Sequence, residues 1–394
     1  MKYTFHKKEG SKRIVEVEVP FKEIEQTEGE DFTKACSKKV QEIARKIIQE
    51  STEEVIGSPK VRILQQEEKK PLKFEMEFYV LPEIALPDYR KIAKTVKRRK
   101  MKVEEKEVEE TLRWIQKSRA KFSQKEGPCG KKDLVQIVYS TPKLNQGKEI
   151  RDQFILGEGY LIQEFEKELE GMKAGEEKEI EVFIPQNHFW QEIAGQRVTF
   201  KVKVVGVQKV ELPEINDEWA RTLGNFKDLA NLKESIKEGI LQEKEEIESQ
   251  RVQNEILEKI ASQTEIEIPD ILIEIETQHT LQEMKERIPQ MFSISFEEYL
   301  KRTGLSEEQL KENLLPEIKK KIKKYLVLRE IRKKEQIEVS EEEVKEEANK
   351  FLARFKTPEE AEKVIDPQSL ISYTKEKLEN QKTLKFLEGL AEIG

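Results

Sequence analysis

The side chains that most often carry chemistry are scarce in this chain. It holds three histidines, His6, His188 and His279, and two cysteines, Cys36 and Cys129. His6 and His279 have no partners at metal-ligand spacing, and His279 reads as a packing or surface residue of a helix. Two cysteines so far apart build neither a disulfide framework nor a metal site, and they point to a reducing compartment. Gly157-Glu158-Gly159 reads as a turn and not as a phosphate-binding loop. Trp114, Trp190 and Trp219 are dispersed and read as packing anchors. What remains is a concentration of aromatic and aliphatic residues between Tyr139 and Phe200, whose use depends on the elements that hold them.

Bulk composition limits those elements. Charged residues make up 38% of the 394 positions and hydrophobic ones 36%, against about 25% charged in ordinary soluble domains. Length and composition predict several domains and an elongated body with much solvated helix. The net charge of −7 arises from 72 bases interleaved with 79 acids, which argues against a nucleic-acid-binding domain, and no DNA partner is expected. The local exception runs from Lys91 to Lys102 and includes Arg98 and Arg99. It reads first as a solvated edge, and second as a contact for ribosomal RNA or an acidic client. Met1 to Lys8 lacks the apolar run of a secretory signal, and no stretch approaches the roughly 20 apolar residues of a membrane span. A cytoplasmic chain without a membrane partner is expected.

The pattern divides the chain. Ile14, Val15, Val17 and Val19 alternate as a strand, Phe32–Ile56 reads as a helix, and Leu72, Phe74, Met76, Phe78 and Val80 alternate as a second strand. Together they predict a small α+β module over residues 1–90. A basic linker and a helix over Glu104–Phe122 occupy 91–127, ended by Gly127-Pro128-Cys129-Gly130. Residues 128–210 alternate short strands with turns: Asp133–Tyr139, Glu179–Ile184 and Arg197–Val207. Residues 211–394 predict a long all-α domain. Its helix starts show capping boxes at Ser295 with Glu298, Ser306 with Gln309 and Ser340 with Glu343, and a cap with proline at Thr357-Pro358. One stripe comprises Leu310, Leu314, Ile318, Ile322, Tyr325 and Leu328. Another, from Leu229 to Ile260, lies on a helix long and charged enough to be an arm or a coiled-coil strut.

Residues 154 to 185 read FILGEGYLIQEFEKELEGMKAGEEKEIEVFIP. They resemble the central stretch of FKBP-type prolyl isomerases: F-x-L-G, then I-x-G-[WF]-E, then G-M-x-x-G-E, then a strand and a proline. Phe74–Leu86 and Leu212–Trp219 resemble the junctions of the trigger factor family, so the resemblance covers nearly the whole chain. The resemblance implies a multidomain α+β fold: a small N-terminal module, an FKBP-like sheet-plus-helix domain and a helical C-terminal domain. It also implies an ATP-independent chaperone for unfolded or nascent polypeptides that isomerises prolyl bonds, works without a cofactor or metal, and is a monomer or weak homodimer. The family's G-F-R-x-G-x-x-P loop for ribosome docking is missing from residues 1–90, which leaves ribosome contact open; a basic contact through Arg98 and Arg99 is the alternative. A chaperone or scaffold with a catalytically weak isomerase domain, off the ribosome, is the alternative function.

Prolyl isomerisation rotates an amide over a barrier of about 18–20 kcal/mol. It needs no nucleophile, because a dry apolar pocket favours the twisted, less polar amide. By the resemblance, Phe165 is the pocket floor, Tyr139, Phe154 and Phe200 are walls, and Leu161 precedes Ile162, whose backbone N–H donates to the peptide carbonyl. For Phe154 and Phe200 plain core packing is an equal reading. His188 and Phe189 lie in the loop that usually supplies a tyrosine. Ile150 and Arg151 stand where the family has phenylalanine and an acid, with Asp152 one position later. Met284, Ile288, Met291 and Phe292 are read as an adaptable client patch, with ordinary helix packing the better reading for any one of them.

Overall fold

The computed structural model describes residues 2–24, 31–188, 190–353, 355, 357 and 366–393, the side chains of 2–9 and 393 aside. Residues 1–100 with 246–394 form one compact unit, and residues 101–245 form another.

The first unit opens with β1 (Lys2–Glu9), β2 (Lys12–Val19), α1 (Phe32–Glu50), β3 (Val55–Gln65) and β4 (Leu72–Val80). The strands form an antiparallel sheet in the order β1-β2-β4-β3. Alternation in β4 sends Leu72, Phe74, Met76, Phe78 and Val80 to one face, each at most 2% exposed. Cys36, Val40, Ile43, Ala44 and Ile47 of α1 cover that face. Asp31 starts α1 by accepting the Thr33 N–H at 2.7 Å. The helix expected to reach Ile56 stops at Glu50. Ile47, Ile48, Val55 and Ile56 fit one helical stripe, but the Ser51 hydroxyl accepts the Glu53 N–H at 3.1 Å and closes a turn. The β-branched Val55 and Ile56 then start β3. The predicted strand, helix and strand are thus joined by two further strands, β1 and β3.

Next come α2 (Tyr89–Lys94) and β5 (Lys97–Arg98), still in the first unit. The second unit begins with α3 (Glu105–Ser118) and β6 (Lys121–Gln124). The helix expected to run to Phe122 ends at Ser118, and Phe122 instead pairs with Val210 in a β-ladder. There follow β7 (Asp133–Ser140), β8 (Ile150–Ile155), α4 (Gln163–Leu169), β9 (Glu177–Phe183), β10 (Arg197–Glu211) and α5 (Asp217–Thr222). The sheet runs β6-β10-β7-β8, with β9 also on β10. Its apolar face and α4 enclose Val135, Ile137, Leu156, Leu169, Ile180 and Val202.

The long helix α6 (Leu229–Gln263) has 35 residues, about 50 Å at 1.5 Å per residue. Its first turns pack Leu232, Ile236 and Ile240 against Val108 and Leu112 of α3 and Trp219 of α5. Trp219 is therefore the packing anchor expected of it. Trp114 is not: it is 69% exposed on α3.

In the first unit follow α7 (Asp270–Phe292), α8 (Phe296–Thr303), α9 (Glu307–Lys334), α10 (Glu341–Leu352) and a C-terminal helix, Pro367–Gly389. Ser306 with Gln309 and Ser340 with Glu343 make reciprocal capping boxes. Ser295 caps from one side only, accepting the Glu298 N–H, because the Glu298 carboxylate pairs with Arg302 at 2.6 Å. The start expected at Thr357-Pro358 lies, beyond Thr357, outside the described residues. On α9 Leu310, Ile318, Ile322 and Leu328 are buried, whereas Tyr325 is 39% exposed. Val252, Ile256 and Ile260 of α6 meet Tyr89 and Ile92 of α2, Val327 and Ile331 of α9, and Leu387. Glu248 accepts the Arg99 N–H at 2.8 Å and pairs with Arg251 at 2.6 Å, so its carboxyl is held at about 2, through Arg251 first and that N–H second, against the cost of burial.

Candidate active site

Strand geometry brings the aromatic residues together. Tyr139 sits on β7 beside Val202 of β10 and Ile150 of β8, and Phe200 lies on β10 opposite Ile180 of β9. Phe165 reaches the same place from the first turn of α4. The rings stand edge to face: Phe165 to Phe200 at 5.5 Å, Tyr139 to Phe165 at 5.8 Å and Tyr139 to Phe200 at 6.0 Å. Each such pair contributes about 0.5–1.5 kcal/mol beyond area burial. Phe154 lies on β8 and stacks on Tyr160 with centroids 5.4 Å apart.

The pairing β7–β8 sets Asp152 opposite Ile137 and Arg151 opposite Val138. Alternation thus brings Asp152 to the pocket, where it accepts the Tyr139 O–H at 2.7 Å. Burial, and then the bond to this carboxylate, push the Tyr139 phenol far above its ordinary range.

Leu161 and Ile162 end the turn before α4 and pack, half-buried, on the aromatic core. Ile162 is the residue preceding the helix, with φ −57° and ψ 133°. Its carbonyl accepts the Glu166 N–H at 3.0 Å, and its own N–H has no acceptor among the described residues. That leaves a donor free for a ligand carbonyl.

Two residues escaped the sequence expectation. Glu166, 4% exposed, accepts the N–H groups of Gly157 at 2.8 Å and Leu161 at 2.9 Å, with Gly159 at 3.4 Å. It holds the turn in which Gly157 and Gly159 take φ of 89° and 77°, values that favour glycine. The signal was an acid directly after Phe165, on a short helix beside two glycines. Trp190, read as a packing anchor, packs within the aromatic group itself, 5.6 Å from Phe200 and 6.0 Å from Tyr139. Its N–H donates to His188 Nδ1 at 3.2 Å, and burial moves the His188 imidazole below its ordinary range. Phe189 lies outside the described residues. His279 is at the surface, 3.8 Å from Glu283.

Among the described residues no group of three or more His, Cys, Asp or Glu side chains could hold a metal ion, and none is long and apolar enough as a helix to cross a membrane. Free donor and apolar rings suit a peptide bond that turns rather than breaks. Residues 128–205 indeed match the family model for FKBP-type peptidyl-prolyl cis-trans isomerase, which sets the class of this domain. The neighbouring parts match bacterial trigger factor protein at residues 29–115 and its C-terminus at 228–388. The trigger factor of Caldicellulosiruptor saccharolyticus is 31% identical over 376 residues, spanning 94% of this chain and 85% of its own. That of a Geobacillus species is 32% identical over 349 residues, spanning 87% and 80%. A solved structure, described as "Promiscuous Substrate Recognition in Folding and Assembly Activities of the Trigger Factor Chaperone", shares the fold with a TM-score of 0.50 at 24% identity and covers 99% of both chains. The chain belongs to the trigger factor family and is a chaperone with an FKBP-type peptidyl-prolyl isomerase domain.

Proposed function

We propose that isomerisation takes place over the floor built by Phe165 and walled by Tyr139, Phe154 and Phe200, with Leu161 at the rim and the Ile162 N–H donating to the substrate carbonyl. The free N–H of Ile162 beside this apolar floor carries the assignment. An apolar surround lowers the cost of twisting the amide, and one donor orients it as resonance is lost. Ile162→Pro removes the donor at a backbone that already suits proline, with φ of −57°. Exchange spectroscopy on a short Xaa-Pro peptide should show a loss of about tenfold or more, the worth of one hydrogen bond, with Ile162→Val near wild type. Equal rates in Ile162→Pro and wild type would remove Ile162 from the mechanism.

Clients are unfolded or nascent chains, met in the cytoplasm by a monomer or weak homodimer with modules bounded near residues 90, 127 and 210. Met291 and Phe292, 64% and 57% exposed, are the outward part of the client patch; Ile288 is buried and Met284 packs beside it. Residues 1–90 contain no G-F-R-x-G-x-x-P sequence. Arg98 pairs with Glu388 at 3.3 Å. These features support client capture without stable ribosome docking. Co-sedimentation with ribosomes tests this: no pelleting is expected while client aggregation is still suppressed, and salt-sensitive pelleting would overturn it.

A further inference from the structure

The four rings assigned to the pocket offer a substrate almost no surface. Phe200 is 0%, Phe165 1%, Tyr139 2% and Phe154 4% exposed. A proline ring can pack only on atoms within van der Waals reach of the solvent side, so these rings support a face that another residue presents. Trp190 is the half-buried member of the group. It contacts Phe200 and Tyr139 at 5.6 and 6.0 Å between centroids. An indole is large and flat with an electron-rich face, and the C–H groups next to a tertiary amide nitrogen are electron-poor, so the two complement each other.

The indole is held from its own backbone. The Trp190 N–H donates to His188 Nδ1 at 3.2 Å, and the two rings lie 4.8 Å apart. This bond ties the Trp190 backbone to the His188 ring, and from that anchored backbone the indole leans on the buried rings.

We propose that Trp190 is the specificity-determining face of the isomerase pocket, the surface on which the substrate proline packs, and that His188 is its positioning residue. The assignment rests on the pocket proposed above and adds to it the ring that touches the substrate. Phe165, Phe200 and Tyr139 act beneath that ring by fixing its position.

The test uses the full chain and exchange spectroscopy on a short Xaa-Pro peptide, with circular dichroism to establish folding. Trp190→Ala should lower kcat/KM about tenfold, mainly through KM, as loss of an aromatic contact implies. Trp190→Phe should keep most of the activity. His188→Leu should lower kcat/KM about threefold, the low end for one lost hydrogen bond. His188→Asn, which restores an acceptor near Nδ1, should recover it; a purely steric role would not show that recovery. Titration with the peptide should change tryptophan emission in the wild type and leave Trp190→Phe unchanged. A wild type without catalysis would contradict the proposed pocket itself. An active wild type with an equally active Trp190→Ala would contradict this inference alone. A faster Trp190→Ala would mark the indole as a cover over the pocket and overturn it too.

Discussion

The Glu166 carboxylate accepts the N–H of Leu161 at 2.9 Å across one turn of chain. With Gly157 bound to the same carboxylate at 2.8 Å, this side chain fixes the segment that delivers the free N–H of Ile162. An acid at 4% exposure is costly unless its oxygens are satisfied, and here backbone donors satisfy them.

Replacing Glu166 should therefore act on stability and on catalysis together. Glu166→Gln keeps one acceptor and should cost about 1–2 kcal/mol, and Glu166→Ala about 3 kcal/mol, because N–H groups are left unsatisfied. Urea unfolding gives the first quantity and peptide exchange the second. Unchanged exchange rates in a folded Glu166→Ala would mean that the turn does not position the donor.

The buried Tyr139 phenol and the half-buried Asp152 form a second polar pair. The Tyr139 phenol is raised by burial and by the carboxylate, so the folded state keeps its proton where the unfolded chain has lost it. The resulting stability is complete below about pH 10, the ordinary tyrosine value, and is lost as pH rises above it. Stability measured from pH 8 to 11 should fall less steeply in Tyr139→Phe. That variant should also lose about 1 kcal/mol at neutral pH from the unpaired acceptor.

The opposite sign holds for Glu248. Held at about 2 by Arg251 and the Arg99 N–H, against an ordinary 4.5, it contributes stability that is complete above pH 4.5 and lost as pH falls towards 2. Glu248→Gln should flatten the acid limb of the stability curve between those values. An acid limb identical to wild type would show that the pair is screened.

Much of this was legible because strands with one buried face must alternate, and β2, β4 and β10 do. The isomerase stretch was legible because its glycines and Phe165 keep a fixed spacing. Ends and edges were not. Val55 and Ile56 continue the helical stripe of Ile47 and Ile48, and only the Ser51 turn, a local bond, breaks it. Trp114 and Trp190 look alike in sequence, yet one stands in solvent and the other closes an aromatic group formed by strands distant along the chain. Glu166 fills the acidic position that closes the isomerase pattern, yet its role was hidden because surface acids are common in so charged a sequence, and its burial depends on a turn that it helps to form.

Client holding should depend on exposed apolar groups separate from the pocket. Replacing Met291 and Phe292 together with serine should weaken suppression of client aggregation about threefold, as loss of exposed adaptable apolar area predicts. Peptide exchange should not change. Full suppression by the double variant would move the client surface elsewhere.

The most direct test is refolding of a client whose slow phase is a prolyl isomerisation, with this chain at catalytic amounts. The account predicts that wild type speeds the slow phase, that Ile162→Pro does not, and that both suppress aggregation equally. A slow phase unaffected by wild type at every concentration would contradict the pocket as a site of isomerisation.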